Sequence, residues 1–486
     1  AEGVQMQTGT LRRSVARASK GLMVAASVLV AATASAQMRP LEKFIRVGIG
    51  PAPGNGNVCG LTDTNLLRCW GGGSNGYPLV VDELETQAGA YSFRSFWMGP
   101  SGVCSVMDNV ADGTSRTGCS AVVYSATAGA TTWSEFGQTS VQRSYVAGVA
   151  GTAARGRKIT VGPTNNCVIF GASTAPGSAG QVACSGENWG GVSLGIPSVG
   201  NTVFGAGVIA GLINIVDISV STDANFTLNG DGGGFTCAVE GPGADQGKVK
   251  CWGYNLSGQL GNGQTTVPPT YGASSPVVAT GISTATAVSA GARHTCAVLA
   301  DNTASCWGAN PDGRLGNTNG AVVNVPTVVA GLSGVTSVVA GYTHTCAIGT
   351  SGNVFCWGDN TGGLLGNTSF TGAFSSTPQQ VTGVTGATSL AINQTGACAT
   401  LTNGSIRCWP AATNFPSVVV PGDCNMDLDG NGSVSATFDG LIGLRALLGL
   451  SGSAVTNGAL GAGARWSWPE VRAVMTQNCG IPGIAP

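Results

Sequence analysis

A pair of cysteines, usually followed by tryptophan, recurs along this chain and constrains its fold more than any other feature. The best-formed unit runs from Cys296 to Gly308 and reads CAVLADNTASCWG. The first cysteines of successive pairs lie 45, 63, 70, 59, 50 and 52 residues apart. Units of this length can hold four strands each, and seven of them can close into a ring. The sequence therefore predicts an all-β fold, a seven-bladed β-propeller over residues 37–421.

Each cysteine pair is predicted to bridge a β-hairpin. In the best unit a polar turn around Asp301 lies midway between Cys296 and Cys306, so the two cysteines face each other across adjacent antiparallel strands. Opposed Cα atoms in such strands approach to ~4.5 Å, which is within disulfide range. Each bridge adds about 3 kcal/mol by restricting the unfolded chain. The predicted pairs are Cys59 with Cys69, Cys104 with Cys119, Cys167 with Cys184, Cys237 with Cys251, Cys296 with Cys306, Cys346 with Cys356, and Cys398 with Cys408.

Metal ligation is the alternative role for so many cysteines. The 486-residue chain has 16 Cys but only 2 His, and no two cysteines have the CxxC spacing. Zinc sites built from cysteine usually need that spacing or histidine partners. We therefore expect disulfides, which form in an oxidising compartment.

The N-terminal region is typical of a secretory signal peptide. Four basic residues between positions 12 and 20 precede an apolar run at 21–33, and the small residues Ala34-Ser35-Ala36 follow as a cleavage signal. The apolar run is shorter than the ~20 residues that cross a bilayer. We expect residues 1–36 to be a signal peptide and leader, the protein to be secreted, periplasmic or on the cell surface, and no membrane span to remain after cleavage.

The charge balance excludes nucleic acid as an expected partner. The chain carries 22 basic and 23 acidic residues, a net charge of -1, and only 9% of its residues are charged. Such a chain offers no positive field to attract a phosphate backbone. We expect a monomer.

A ten-residue motif follows the second cysteine in the best-formed repeats. It reads Trp-Gly-x-Asn-x-x-Gly-x-Leu-Gly at Trp252–Gly261, Trp307–Gly316 and Trp357–Gly366. Together with the preceding HTCA sequence or a relative of it, the motif resembles the repeats of the regulator of chromosome condensation family. The resemblance implies a seven-bladed β-propeller over roughly residues 44–420 and is weakest in repeats two and seven. We interpret the tryptophans as packing residues between blades, although a stacking platform for sugars is the alternative.

Two histidines, His294 and His344, occupy the same position in neighbouring repeats. Imidazoles one blade apart could bind a metal or transfer protons, but no third ligand or partner carboxylate is evident in the sequence. The simpler hypothesis is a hydrogen-bonded structural histidine at each position.

The turns between paired cysteines differ in length. The two cysteines are 10 residues apart in repeats one, five, six and seven, but 15, 17 and 14 apart in repeats two, three and four. The enlarged turns are predicted at 107–117, 171–180 and 240–247, on one face of three adjacent blades, where propellers bind partners. Loop drift is the alternative explanation. The residues proposed for this surface are Phe93, Phe96, Trp97, Asp108, Asp112, Trp133 and Asp245.

A late strand, residues 416–420, matches the PVV sequence at 276–278 in register. We expect it to complete the first blade and so close the ring, which would hide the strand edges.

The periodicity changes after residue 421, and we assign 422–486 to a separate module. The sequence DLDGNGSVS beginning at Asp427 is an EF-hand-type calcium loop, with a glycine at the sharp turn of its sixth position. The acidic residue usual at position twelve is replaced by Phe438, so an enlarged loop must close on Asp439. A polar turn without metal is the alternative. The predicted calcium ligands are Asp427, Asp429, Asn431, Ser433, Ser435 and Asp439.

The same segment resembles the dockerin-like calcium modules of exported bacterial proteins. Such modules duplicate the calcium loop and bind a cohesin, whereas this chain has one loop followed by a helix-like stretch at 466–479. The resemblance implies a small C-terminal α-helical module that binds calcium. Cys424 and Cys479 are expected to form a disulfide across it.

These features predict an interaction protein that binds another protein or a surface glycan, and not an enzyme. The alternative is a secreted polysaccharide hydrolase or lyase, which would need two carboxylates converging in a deep pocket. The sequence shows no pair of carboxylates repeated at a suitable spacing.

Calcium binding is directly testable. We expect titration calorimetry of the isolated C-terminal module to show calcium binding, and the Asp427→Ala and Asp429→Ala variants to lose it, because each removes a charged oxygen ligand. Equal calcium affinity in the parent module and both variants would contradict the assignment.

Overall fold

The computed structural model describes the greater part of a ring of β-sheets and part of the C-terminal segment. The residues described are 43–49, 58–63, 67–70, 91–99, 102–109, 115–120, 155–162, 165–171, 180–188, 192–196, 202–212, 214–222, 234–267, 271–410, 418–419, 439–447, 450–461 and 464–475. The ring lies within one compact unit, Lys43–Pro421, and Gly422–Pro486 belongs to another.

The described strands of the first unit form seven antiparallel sheets, numbered here in chain order. Sheets 1 and 2 contain β1 (Phe44–Ile49), β2 (Val58–Thr62), β3 (Leu67–Trp70), β4 (Tyr91–Gly99), β5 (Gly102–Asn109) and β6 (Ser115–Ser120). Sheets 3 and 4 contain β7 (Arg155–Val161), β8 (Asn165–Gly171), β9 (Gln181–Glu187), β10 (Thr202–Val208), β11 (Ile215–Val220), β12 (Phe235–Glu240), β13 (Val249–Tyr254) and β14 (Gly272–Val278).

The remaining sheets repeat the same order. Sheets 5 and 6 contain β15 (Ala285–Ala290), β16 (His294–Leu299), β17 (Ala304–Ala309), β18 (Val322–Val328), β19 (Ser337–Ala340), β20 (His344–Ile348), β21 (Val354–Asp359) and β22 (Phe374–Gln380). Sheet 7 contains β23 (Ala387–Ile392), β24 (Ala397–Leu401), β25 (Ile406–Trp409) and β26 (Val418–Val419). Two one-turn 3₁₀ segments, Thr350–Gly352 and Thr361–Gly363, lie in loops of sheet 6.

Five of the seven sheets, sheets 3 to 7, have the four strands of a complete propeller blade. Sheets 1 and 2 have three strands each within the described part of the chain. The prediction of a propeller is therefore confirmed, while complete blades number five and not the seven expected. The first strand of each sheet lies at the ring axis and the fourth strand, where present, at the outer rim.

The core lies between neighbouring sheets. One buried cluster joins Phe235, Val249 and Cys251 of sheet 4 to Ala297 and Trp307 of sheet 5. Equivalent clusters join sheets 3 and 4, 5 and 6, and 6 and 7. Since a sheet of this size cannot bury its two faces alone, each depends on the next for its hydrophobic stabilisation.

A glycine accommodates the tryptophan of the following repeat at each of these interfaces. Gly261 has φ +71°, and a Cβ there would lie 2.6 Å from Nε1 of Trp307. Gly195, Gly316 and Gly366 stand in the same relation to Trp252, Trp357 and Trp409. The rings of Trp252, Trp307 and Trp357 are fully buried. They pack between blades, as predicted from the sequence.

The predicted ring closure through residues 416–420 is wrong. β26 (Val418–Val419) pairs with β25 of its own sheet and becomes the fourth strand of sheet 7, because the chain leaving β25 needs only a short connection to return beside it. Sheet 7 instead meets sheet 1 by side-chain packing, with Phe44 and Val58 buried against Ala391 and Ile406. Among the described strands, none is shared between sheets 1 and 7.

The outer strands carry proline at a fixed position. Pro276, Pro326 and Pro378 occupy the fifth residue of β14, β18 and β22, each within the stretch where the pairing register shifts. Proline lacks an N–H and is tolerated in a sheet mainly at edges and bulges. Its presence therefore marks these strands as free edges of the blades.

The described part of the C-terminal segment contains three short helices, α1 (Asp439–Leu447), α2 (Ser453–Thr456) and α3 (Trp468–Ala473). α3 begins with a capping box between Ser467 and Glu470, which satisfies the first backbone N–H groups of the helix. Ile442, Val455 and Val471 are fully buried. Among the described helices, none combines the length and hydrophobicity needed to cross a bilayer.

Candidate functional site

Disulfides bridge the central hairpin of every complete blade. They join Cys167 to Cys184, Cys237 to Cys251, Cys296 to Cys306, Cys346 to Cys356, and Cys398 to Cys408, with Cα separations of 4.0 to 4.1 Å. Cys59 is also disulfide-bonded and lies opposite Cys69 in register, as Cys104 lies opposite Cys119. Five such bridges indicate an oxidising environment. The predicted partners Cys424 and Cys479 lie outside the described residues.

The motif asparagines of sheets 4, 5 and 6 hold the long loop that follows the third strand of each of these sheets. The side-chain oxygen of Asn310 accepts a hydrogen bond from the backbone N–H of Leu315 at 3.0 Å, and its amide nitrogen donates to the carbonyl of Gly320 at 3.1 Å. Asn255 and Asn360 make the corresponding bonds in sheets 4 and 6. The sequence motif includes this asparagine, but no role was predicted for it. Its recurrence at the fourth position of the motif could have indicated a structural role.

A second polar connection joins sheets 5 and 6. His294 Nε2 lies 2.8 Å from Thr345 Oγ1, and Thr345 Oγ1 donates to the carbonyl of Arg314 at 2.8 Å. Because the threonine proton is used on the carbonyl, the imidazole must donate through Nε2. His294 is therefore the hydrogen-bonded structural histidine that the simpler hypothesis describes.

His344 departs from that hypothesis. It is fully buried, yet neither ring nitrogen has a hydrogen-bond partner among the residues that the structure describes. The residue that corresponds to Thr345 in the next repeat is Ala397, which offers no hydroxyl. The described residues contain no cluster of three metal-ligating side chains around either histidine. His344 thus occupies a structural position whose partner the last repeat lacks.

Burial also controls the protonation of both histidines. It lowers the pKa of His344 to about 4, with opposing contributions from the nearby carboxylates of Asp359 and Asp312. Burial lowers the pKa of His294 well below its usual value, and the Arg314 guanidinium adds to the effect. Both imidazoles are accordingly neutral in the folded protein near neutral pH.

The enlarged turn of sheet 4 is held in place by ion pairs. Lys250 Nζ lies 2.5 Å from a Glu240 oxygen and 3.2 Å from an Asp245 oxygen, and Lys248 pairs with Asp245 at 2.7 Å. Hydrogen bonds from Lys248 and Lys250 lower the pKa of Asp245. The turn is also tied to the strand connection beside it, since Asn214 Nδ2 donates to the Pro242 carbonyl at 3.0 Å.

The other residues proposed for the surface of the enlarged turns, where the structure describes them, do not lie in the turn of sheet 4 with Asp245. Phe96 is 8% exposed and lines a cavity at the ring axis, whereas the sequence analysis proposed it for the surface formed by the enlarged turns. Its ring packs where Gly48 of sheet 1 leaves room, since a Cβ on Gly48 would lie 2.7 Å from it. Phe93 and Trp97 lie on β4 and Asp108 on β5, whereas Asp112 and Trp133 lie outside the described residues.

The predicted calcium loop also lies outside the described part of the chain. This applies to Asp427, Asp429, Asn431, Ser433 and Ser435. Asp439 begins α1, and its side chain is not described. Calcium binding stays a prediction.

The axial cavity has a volume of about 270 Å³ and is lined by the first strands of all seven sheets. Among its described lining residues the only charged side chains are Lys158 and Asp217, which form an ion pair with each other. The second oxygen of Asp217 accepts a hydrogen bond from the backbone N–H of Val288 at 2.9 Å. The described lining therefore has one carboxylate, already neutralised, and not the two converging acids that a glycoside hydrolase needs.

Comparison with known proteins identifies the repeats. A family model described as the Regulator of chromosome condensation (RCC1) repeat matches residues 246–298, 306–348 and 351–393, and a second model of that repeat matches 285–314 and 335–363. The chain therefore contains RCC1 repeats across sheets 4 to 7. No curated protein matches the sequence.

Solved structures with a TM-score of 0.50 support the same fold. Prp20p from Saccharomyces cerevisiae, described with its binding to Gsp1p and histones, is 14% identical with a TM-score of 0.50, over 69% of this chain and 76% of that one. Yeast RCC1 (Prp20) bound to Kap60 gives 14% identity and a TM-score of 0.50, over 69% and 74%. The ectodomain of the Arabidopsis thaliana receptor kinase ACR4 is 18% identical with a TM-score of 0.44, over 78% and 99%.

Stability should depend on pH through His344. Its folded-state pKa of about 4 lies below the unfolded value near 6.5, so the unfolded chain binds the proton more tightly and stability falls as the pH drops from 6.5 towards 4. We expect a loss of roughly 2 kcal/mol between pH 7 and pH 5 from this residue, measured by denaturant unfolding with the disulfides intact. Phe235 occupies the same register in sheet 4, so His344→Phe is the matched variant and should show a smaller loss. An unchanged pH dependence in that variant would contradict the assignment.

Restoring the missing hydroxyl should stabilise the ring. In Ala397→Thr the new hydroxyl can accept from His344 Nε2, as Thr345 accepts from His294, and we expect a gain of about 1 kcal/mol in the free energy of unfolding. Ala397→Val is the control, since it has the same shape without the oxygen and should not stabilise. Equal effects of the two substitutions would show that the hydroxyl makes no bond.

Proposed function

We propose that this protein is an exported interaction scaffold, a disulfide-bridged ring of seven repeats that binds another protein or a surface glycan. The repeats, the propeller fold and the disulfides support an interaction role, since propellers present loops on a rigid frame and function is concentrated on such loops. The signal-like N-terminus and the near-neutral charge favour a partner outside the cell and argue against chromatin.

The observation that carries the proposal is the ordered enlarged turn of sheet 4. Its ends are fixed by the ion pairs of Lys250 and by the bond from Asn214, while Pro242, Gly243 and Ala244 between them are exposed. A loop already held in one conformation loses little entropy when it binds, which favours affinity. The turn therefore has the properties of a prepared contact surface.

The neighbouring enlarged turns extend this surface. Each connects the second and third strands of its sheet, β5 to β6, β8 to β9 and β12 to β13, so all three emerge at the same end of adjacent sheets. By contrast the turn at Asp301 and Asn302 in sheet 5 has the short ten-residue spacing. We call the three enlarged turns the arc surface, and propose it as the partner-binding site.

A calcium-stabilised, dockerin-like C-terminal module completes the proposal. Three correctly spaced oxygen ligands and the glycine at position six support calcium binding, and the single loop argues against a duplicated cohesin-binding module. We propose that the module is bound to calcium wherever the protein acts.

Turn shortening tests the arc surface. We expect a chain in which all three enlarged turns are cut to the ten-residue spacing to lose at least about tenfold in affinity for a partner isolated with the unmodified chain in the presence of calcium. The control replaces the Asp301–Asn302 turn with another turn of equal length and should bind normally. Unchanged affinity in the shortened chain, with its disulfides formed, would refute the proposal.

A further inference from the structure

The axial cavity has two unlike walls. Sheets 1 and 2 contribute apolar side chains, and the first strands of sheets 3, 4 and 5 contribute an ion pair and two serine hydroxyls. Sheets 6 and 7 contribute apolar side chains together with polar ones such as Ser337 and Asn393. The apolar wall includes Val47, Ile49, Phe96, Met98, Val338 and Leu390. The polar wall contains the Lys158–Asp217 ion pair together with the hydroxyls of Ser219 and Ser289. A cavity divided in this way suits a small molecule with one apolar end and one polar end.

The two serines each retain an unused donor. Ser219 Oγ accepts from the backbone N–H of Ala290, and Ser289 Oγ accepts from that of Ala340, both at 3.0 Å. Within the described residues neither hydroxyl donates a hydrogen bond, although the residues are only 4% and 9% exposed. A buried donor without an acceptor is costly, so these hydroxyls favour a ligand that brings an anionic oxygen.

The ion pair limits the charge of that ligand. Lys158 and Asp217 already neutralise each other, so a ligand with a single net charge would leave one charge uncompensated at the cavity wall. A zwitterion instead places its own anion beside Lys158 and its own cation beside Asp217. Asp217 and Ser219 are two residues apart on one strand and share a face, about 6.6 Å from each other along the strand. A cation and an anion separated by one carbon atom can bridge that distance.

We propose that the axial cavity binds an apolar α-amino acid in its zwitterionic form. The carboxylate accepts hydrogen bonds from Ser219, Ser289 and Lys158, the ammonium group donates to Asp217, and the side chain packs against the apolar wall around Phe96. The volume of about 270 Å³ is below the ~300–1,000 Å³ of drug-sized sites, which fits a ligand of this size. This site is independent of the arc surface.

Calorimetry with the full chain tests the ligand class. We expect L-leucine and L-phenylalanine to bind at millimolar concentration or below. 3-Methylbutylamine and 4-methylpentanoate, which each lack one of the two charges, should bind at least about tenfold more weakly. The Asp217→Asn variant keeps an oxygen for Val288 but removes the charge, and should weaken L-leucine binding by a similar factor. If that variant does not fold, Lys158→Gln provides the same test. Absence of heat with either amino acid, or equal affinity for the singly charged analogues, overturns the proposal.

A matched pair of variants separates binding from stability. Ser219→Ala and Thr160→Val both remove an oxygen that accepts an N–H from the next sheet, since Thr160 accepts from Val220 at 3.1 Å. Ser219 lines the cavity, whereas Thr160 is fully buried and does not. We expect both to lower the melting temperature, and only Ser219→Ala to weaken L-leucine binding, by about fivefold or more. Equal losses of affinity in the two variants overturn the proposal.

Discussion

The structure depends on burying each motif tryptophan against the preceding blade. Trp307 is fully buried, its ring lies on Gly261, and its Nε1 donates to the Gln259 carbonyl at 2.9 Å. Thr295 donates to that same carbonyl at 2.8 Å, so one oxygen of sheet 4 fixes two side chains of sheet 5. Full burial of so large a side chain contributes on the order of 3 kcal/mol, which no isolated four-stranded sheet could obtain. The ring is therefore stabilised at its interfaces, and the disulfides act within blades.

Around the axis, hydrogen bonds from the backbone of one sheet to side chains of the preceding sheet also stabilise the interfaces between sheets. These bonds are present in only part of the ring. Thr160, Ser219 and Ser289 occupy one register position, opposite the first cysteine of their sheets, and each accepts an N–H from the next sheet. In sheets 6, 7 and 1 that position is taken by Val339, Ala391 and Gly48, none of which has a side-chain acceptor. Ser219 and Ser289 at this position are also the hydroxyls of the polar wall of the cavity.

The cysteine and tryptophan repeats were sufficient to predict the hairpins, the propeller and the packing role of Trp252, Trp307 and Trp357, because these depend on spacing within one repeat. The features that could not be predicted from the sequence depend on contacts between residues of different repeats. Lys158 and Asp217 are 59 residues apart, and Thr345 meets His294 only because sheets 5 and 6 stand side by side. The position of β26 was predicted wrongly for the same reason. Its match to the PVV sequence of β14 indicated an outer strand, but it did not show to which sheet that strand belongs. Phe96 was proposed for the surface of the enlarged turns for a similar reason, because its packing against Gly48 is a contact between repeats.

The prolines of the outer strands limit the ways in which this molecule can meet another. β-Sheet proteins often associate by adding a strand to an exposed edge, which requires an unbroken row of free N–H and C=O groups. Pro276, Pro326 and Pro378 interrupt that row in three successive blades, at the point where the pairing register shifts. Recognition at these blades must therefore use loops and side chains, and crowded copies of the protein can lie rim to rim without polymerising through these edges.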